Sequence, residues 1–286
     1  MAIDNLRSEY HRQICTHIIC IQKNTKGIPF PNFADGDNKS SRDIAWGILE
    51  QMGCAHNIRK LSGQTAGKLF EQLTKNFIQE VFNRLIHLRP GTWIYSTNSV
   101  ISEFEQFNHL AYIDDVIRND KRLEAALRGG YIITPDIVVS RSSVADEEIN
   151  AYGEVISAED SSANLTPFRQ VNRPVATKIL HASISCKWTI RSDRAQNTRT
   201  EALNLIRNRK GPLPHVIAVT AEPTPHRLAS LALGTGDLDC VYHFALYEMI
   251  QAIQDLGLED ALVEIQMMVE GKRLRDISDL PFDLAI

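Results

Sequence analysis

One acidic side chain sits where a buried strand would want none. The run Ile132-Ile133-Thr134-Pro135-Asp136-Ile137-Val138-Val139 is β-branched and apolar, and it is broken by the one Pro-Asp step in the chain. A carboxylate amid such a run is costly unless it is paired or bound to a metal, so the segment needs a partner that supplies positive charge. Fifty residues on, His181 to Trp188 alternates in the manner of a strand. Period two puts Ala182, Ile184 and Cys186 on one face and Ser183, Ser185 and Lys187 on the other. If the two strands are neighbours, Asp136 meets Lys187.

Around these two segments the pattern is mixed. Residues 64 to 88 carry Leu69, Phe70, Leu73, Phe77, Val81 and Leu85 near the helical period, ending before Pro90-Gly91, with Glu71 and Lys75 expected on the other side. Further helices are predicted over about 41–52, 100–127, 193–209, 243–256 and 258–270. Strands are predicted over Tyr131–Val139, His181–Trp188, Val216–Thr220 and Asp239–Ala245. Strands interleaved with helices imply an α/β fold, a central mixed sheet flanked by helices, in one domain spanning 1–286. Residues 141 to 175 are a polar excursion with no pattern to assign.

Composition adds exclusions. No apolar run approaches the length of a membrane span, and no leader is recognisable, so a cytoplasmic location is expected. The five cysteines form no C-x-x-C pair and read as buried, reduced thiols. Net charge is −4, which gives no global reason to expect a nucleic acid. Between Lys187 and Lys210, however, seven basic residues face two acids, so positive charge is concentrated locally. A solvated helix face explains such a run equally well.

In the predicted helix after Lys187, Arg194, Thr198 and Glu201 fall on one face, which lets Glu201 point back toward the sheet. Two carboxylates around an ammonium suit phosphodiester hydrolysis, with the acids holding Mg2+ and the lysine serving the attacking water. A buried ion pair and a surface glutamate are the plain alternative.

The segment Ser185-Cys186-Lys187-Trp188-Thr189-Ile190-Arg191-Ser192-Asp193-Arg194, with Glu201 beyond, resembles the signature of the type IIF restriction endonucleases that recognise a CCGG core, within the PD-(D/E)-x-K nuclease fold. In that family Ser or Thr stands two residues before the lysine, and the displaced carboxylate comes from the following helix; Ser185 and Glu201 match. The resemblance implies a restriction-endonuclease-like core, Asp136, Lys187 and Glu201 as the catalytic set with Ser185, and two Mg2+ held by Asp136, Glu201 and the Cys186 carbonyl. Glu71 resembles a further acidic residue near such sites, and equally a surface carboxylate.

For DNA, the resemblance implies that Arg191, Ser192, Asp193 and Arg194 read the central base pairs. Arginine can fork onto guanine O6 and N7, and aspartate can accept from cytosine N4. Arg227 and Asp35 are the candidates for the outer G·C pair, and Gln64 for a minor-groove contact; a turn residue and a helix cap are the rival readings of Asp35 and Gln64. It further implies duplex GCCGGC as target, cut after the first G, and a homotetramer of two dimers. A related nuclease with another target or a repair role, or an inactive DNA-binding module, would share many of these features.

Overall fold

A computed structural model describes residues 2–55, 61–122, 133–157, 159–170, 176–190, 192–234 and 236–286, with the side chains of 114, 118 and 192–194 outside that description. In chain order the elements are α1 (Ile3–His17), β1 (Ile21–Lys23), β2 (Pro29–Pro31), α2 (Lys39–Gln51), α3 (Gly63–Arg84), β3 (Trp93–Ser96), two 3-10 turns, α4 (Ala111–Asn119), β4 (Ile137–Ser142), α5 (Asp146–Ile149), β5 (Lys178–Lys187), α6 (Ser192–Asn208), β6 (His215–Thr220), α7 (Pro225–Ala232), β7 (Cys240–His243), α8 (Leu246–Asp255), α9 (Glu259–Glu270), β8 (Leu274–Asp276) and α10 (Leu280–Asp283).

The sheet is mixed, as the pattern requires. Its order is β3-β4-β5-β6-β7-β8; the first three strands run antiparallel and β5 to β8 run parallel. Parallel neighbours need crossover connections, which α6, α7 and the α8–α9 pair provide. The strands of the parallel half are apolar on both faces because helices cover both: in β6, Val216 to Thr220 are all buried. The register aligns the carboxyl ends Lys187, Thr220, His243 and Asp276 along one edge. Since β4 runs opposite to β5, with Ile137 paired to Ile184, the start of β4 lies at the carboxyl end of β5. That is what brings Asp136 to Lys187.

Several expectations need correction. The predicted strand over Tyr131–Val139 begins only at Ile137 among the described residues, because Pro135 has no N–H to give a ladder. The predicted helix over 100–127 is instead two 3-10 turns, Ile101–Glu103 and Glu105–Leu110, followed by α4; residues 123–130 lie outside the description. Buried Ile101, Phe104, Phe107 and Leu110 recur every three residues, the 3-10 period. The Gln106 amide is satisfied against the backbone of Leu180, donating to its carbonyl at 2.7 Å and accepting from its N–H at 3.0 Å.

In α3 the buried face is Ala66, Phe70, Thr74, Phe77, Ile78, Val81 and Phe82, whereas Leu69 and Leu73 are only partly covered. Thr74 is admitted to that face because its hydroxyl meets the Tyr10 hydroxyl at 2.9 Å. The thiols were expected to be uniformly reduced, but Cys15 and Cys54 are bonded to each other, with Cα atoms 5.5 Å apart, joining the end of α1 to the turn after α2. Spacing alone could not reveal a pairing across 39 residues. Cys20, Cys186 and Cys240 are free and buried.

Arg7 ties α1 to α8 and β8. It donates from Nε and Nη2 to Asp276, both at 2.8 Å, and from Nη1 and Nη2 to Glu248, both at 2.6 Å. Trp188, just past β5, packs at 5.1 Å from Phe70, 5.7 Å from Phe33 and 5.9 Å from Phe244, measured between ring centres. The Phe70 and Phe33 contacts are edge-to-face, which suits aromatic quadrupoles, and the Phe244 contact is tilted; together they join α3, the 31–37 loop and β7's carboxyl end. Among the described residues no helix is long and apolar enough to cross a membrane.

Candidate active site

Asp136 immediately precedes β4 and is held there by three donors on one oxygen. Its Oδ2 accepts from Lys187 Nζ at 2.8 Å, from the Cys186 backbone N–H at 2.7 Å and, more weakly, from Ser185 Oγ at 3.5 Å. Both members of the ion pair are about one-fifth exposed, so the pair is partly desolvated and still reachable. Burial works against the Lys187 charge, but Asp136 and then Glu201 overcome it and hold the group protonated above its ordinary range. Lys187 is therefore an ammonium at neutral pH, a group that orients and neutralises.

Glu201 projects from α6, where Thr198, Ala202 and Leu205 are buried against the sheet. The Thr198 and Ser185 hydroxyls lie 3.4 Å apart, which fixes the face α6 turns inward. Burial raises the Glu201 carboxyl, Lys187 lowers it and Asp136 raises it again. Glu71, for which a surface carboxylate is the rival reading, lines the same cleft as Asp136, Lys187 and Glu201. Its pKa is pushed up to about 7, first by burial and then by the Asp136 charge, against the pull of Lys187 and Lys68.

This cleft has a volume of about 520 Å³ and is also lined by Gly63, Gln64, Gly67, Lys68, Asn98 and Asn197. Lys68, Asn98 and Asn197 gave no signal in the sequence; only the left-handed backbone of Asn98, φ 69°, sets it apart in the structure. Gln64 faces the cleft and is not the helix cap. Ser62 caps α3, accepting from the Thr65 N–H at 3.1 Å.

An ionised Glu71 is a cost to the folded, metal-free protein. A carboxyl raised in the folded state loses stability as pH rises above its unfolded value of about 4.5, and the loss is complete once pH passes its folded value of about 7. Glu71→Gln should thus raise the melting temperature of the metal-free protein at pH 8 and leave it unchanged at pH 4. Melting curves that are identical at both pH values would show that Glu71 is solvated like any surface glutamate.

A second cleft, of about 410 Å³, adjoins the first and shares Gly63 and Trp188 with it. Arg227 on α7 and Asp35 line it together and form an ion pair with each other. Asp35 Oδ1 also accepts from the Asp37 N–H at 3.2 Å, so the turn reading of Asp35 and its pairing to Arg227 both hold. Beneath them Glu222, buried, accepts from the Ile190 N–H at 2.9 Å and lies 3.7 Å from Arg227. Ile190 precedes the Arg191-Ser192-Asp193-Arg194 stretch. Arg191 lies outside the described residues; Ser192, Asp193 and Arg194 form the first turn of α6, and their side chains are outside the description.

Oxygen donors and surplus negative charge fit a hard divalent cation. Three carboxylates (Glu71, Asp136, Glu201) face two ammonium groups (Lys68, Lys187) in one half-buried cleft; Glu71 and Glu201 are raised first by burial, with the Asp136 charge adding to the rise. Among the described residues no three His, Cys, Asp or Glu side chains close on one point, so a cation here would be completed by water, backbone carbonyl or phosphate oxygens, as is usual for Mg2+.

Two comparisons bear on the whole chain. A family model described as the NgoMIV restriction enzyme matches residues 10–286. The type II restriction enzyme NgoMIV of Neisseria gonorrhoeae is 47% identical over 285 residues, covering 98% of this chain and 97% of that protein.

Proposed function

The chain belongs to the NgoMIV restriction-enzyme family and is a type II restriction endonuclease, and on that premise we propose that it cuts duplex DNA at GCCGGC after the first G, leaving 5′ CCGG overhangs. One observation supports this most directly. The Asp136–Lys187 pair, with Glu71 and Glu201, lies in a cleft next to the one holding Arg227 and Asp35. In this reading the hydrolytic and base-reading groups belong to one domain spanning 1–286, and the adjoining clefts support it.

In this reading the scissile phosphate enters the first cleft. Asp136, Glu201 and the Cys186 carbonyl would hold Mg2+, with Glu71 completing the negative environment. Bound there, the cation supplies charge neutralisation at the phosphate and a water more readily deprotonated. Lys187, kept protonated, orients the attacking water and screens the phosphate charge, while Ser185 and the Cys186 N–H fix the Asp136 carboxylate. Arg191, Asp193 and Arg194, with Ser192, read the inner CCGG from the major groove. Arg227 and Asp35 read the outer G·C pair, and Gln64 contacts the minor groove.

A palindromic target implies a symmetric oligomer, proposed here as a homotetramer of two dimers that binds two sites. The test is digestion of one-site and two-site plasmids with Mg2+, with fragment ends sequenced. The expected result is 5′ CCGG ends and faster cutting of the two-site plasmid. Ends that map elsewhere would refute the target, and equal rates on the two plasmids would refute the paired-site assembly.

A further inference from the structure

We propose that Lys68 seats a second backbone phosphate of the bound strand, beside the scissile one; the inference rests on the endonuclease reading above. The first eight or so residues of α3 present one face to the catalytic cleft: Gly63, Gln64, Gly67, Lys68 and Glu71 all line it. A Cβ built at Gly63 or Gly67 would meet nothing within 4 Å, so the helix backbone is open to close approach there. Lys68 stands exposed between that bare stretch and Glu71, about 4.5 Å of helix rise from the latter.

The two ammonium groups of the cleft differ in their engagement. Lys187 is held by Asp136 at 2.8 Å. Lys68 acts on Glu71 only through its field, lowering that carboxyl's pKa, and its own Nζ forms no ion pair within 4 Å among the described residues. A flexible ammonium is a point charge with three rotatable donors, suited to phosphate and poorly suited to forked base reading. Contacts of that type fix where the duplex lies and carry no sequence information. Lys68 is accordingly a positioning residue that sets the strand's register over Asp136 and Lys187.

The experiment is titration of a GCCGGC duplex in EDTA, across a series of salt concentrations, with wild type, Lys68→Ala and Lys68→Arg. Each phosphate contact contributes about 0.9 to the slope of log K against log salt. Lys68→Ala should therefore bind roughly five- to tenfold more weakly near 0.1 M salt, with a slope shallower by about one, and converge on wild type near 1 M. Lys68→Arg should keep the wild-type slope. A lysine on a merely solvated helix face would leave the slope unmoved. Lys68→Ala with the wild-type slope, or Lys68→Arg no better than Lys68→Ala, overturns the inference while leaving the endonuclease reading intact. Failure of the wild type to bind this duplex overturns the proposed GCCGGC target together with the inference. Lys68→Gln, read in the same way, serves if Lys68→Ala melts early.

Discussion

Lys187→Ala loses DNA cleavage by at least about a thousandfold, equivalent to roughly 4 kcal/mol of barrier, while binding of the cognate duplex persists. The ammonium is 2.8 Å from Asp136 and carries the positive charge that lets two further carboxylates share a half-buried cleft. Without it, Asp136 keeps only the Cys186 N–H and the distant Ser185 hydroxyl, and the cleft's negative charge is less compensated. Both water orientation and phosphate screening should fail together, whereas the groups proposed to read bases, in the adjoining cleft and at the start of α6, are left unchanged. Asp136→Asn should behave similarly, because it removes the charge that holds Lys187 in place. Single-turnover cleavage in Mg2+ alongside duplex binding in EDTA separates the two effects. Cutting by Lys187→Ala at the wild-type rate would remove this cleft from consideration as the catalytic centre.

Arg227→Ala should weaken cognate binding by about 1–3 kcal/mol, some five- to 150-fold, and should relax discrimination at the outer base pair alone. Asp35 holds the guanidinium by an ion pair, and Glu222 lies 3.7 Å from another of its nitrogens. A fork aimed in advance by two acids loses little freedom when it binds guanine, and Asp35 retains acceptor capacity for the paired cytosine. Competition between GCCGGC and ACCGGT duplexes is the decisive measurement. The wild type should separate them strongly, and Arg227→Ala should hardly do so while still rejecting duplexes altered in the inner CCGG. Equal weakening on every duplex would make Arg227 a phosphate contact.

Much of the site was legible because its chemistry violates local preference. A carboxylate after Pro135 in an apolar strand, and a lysine ending an alternating one, each require a counter-charge, and β4 and β5 supply it across 51 positions. The helical stretch after Lys187 carries Glu201 on the face that turns inward. The mixed sheet followed from strands alternating with helices. Strand β3 was illegible, since four residues behind Pro90-Gly91 are too few to show a period; β8, with three, is shorter still.

The 101–110 turns misled because apolar spacing of three resembles spacing of three and four. Glu71 was ambiguous for a different reason. Its helix shows a clear apolar face, but nothing along the chain says that the opposite flank is roofed by Asp136 and Lys187 at its first turns. Nor does the sequence show that Arg227 and Asp35, 192 positions apart, form one unit; that depends on how the 31–37 loop packs against Trp188.

The Arg7 clamp has a consequence for how the enzyme comes into being. Its two acidic partners lie 241 and 269 positions downstream, so the clamp on the first helix cannot close until residues 248 and 276 have left the ribosome. Contacts of such long range slow the search for the native state and make its last stage cooperative. A nascent chain still short of residue 276 would then lack this bracing of its first helix, and the clamped native state would form late.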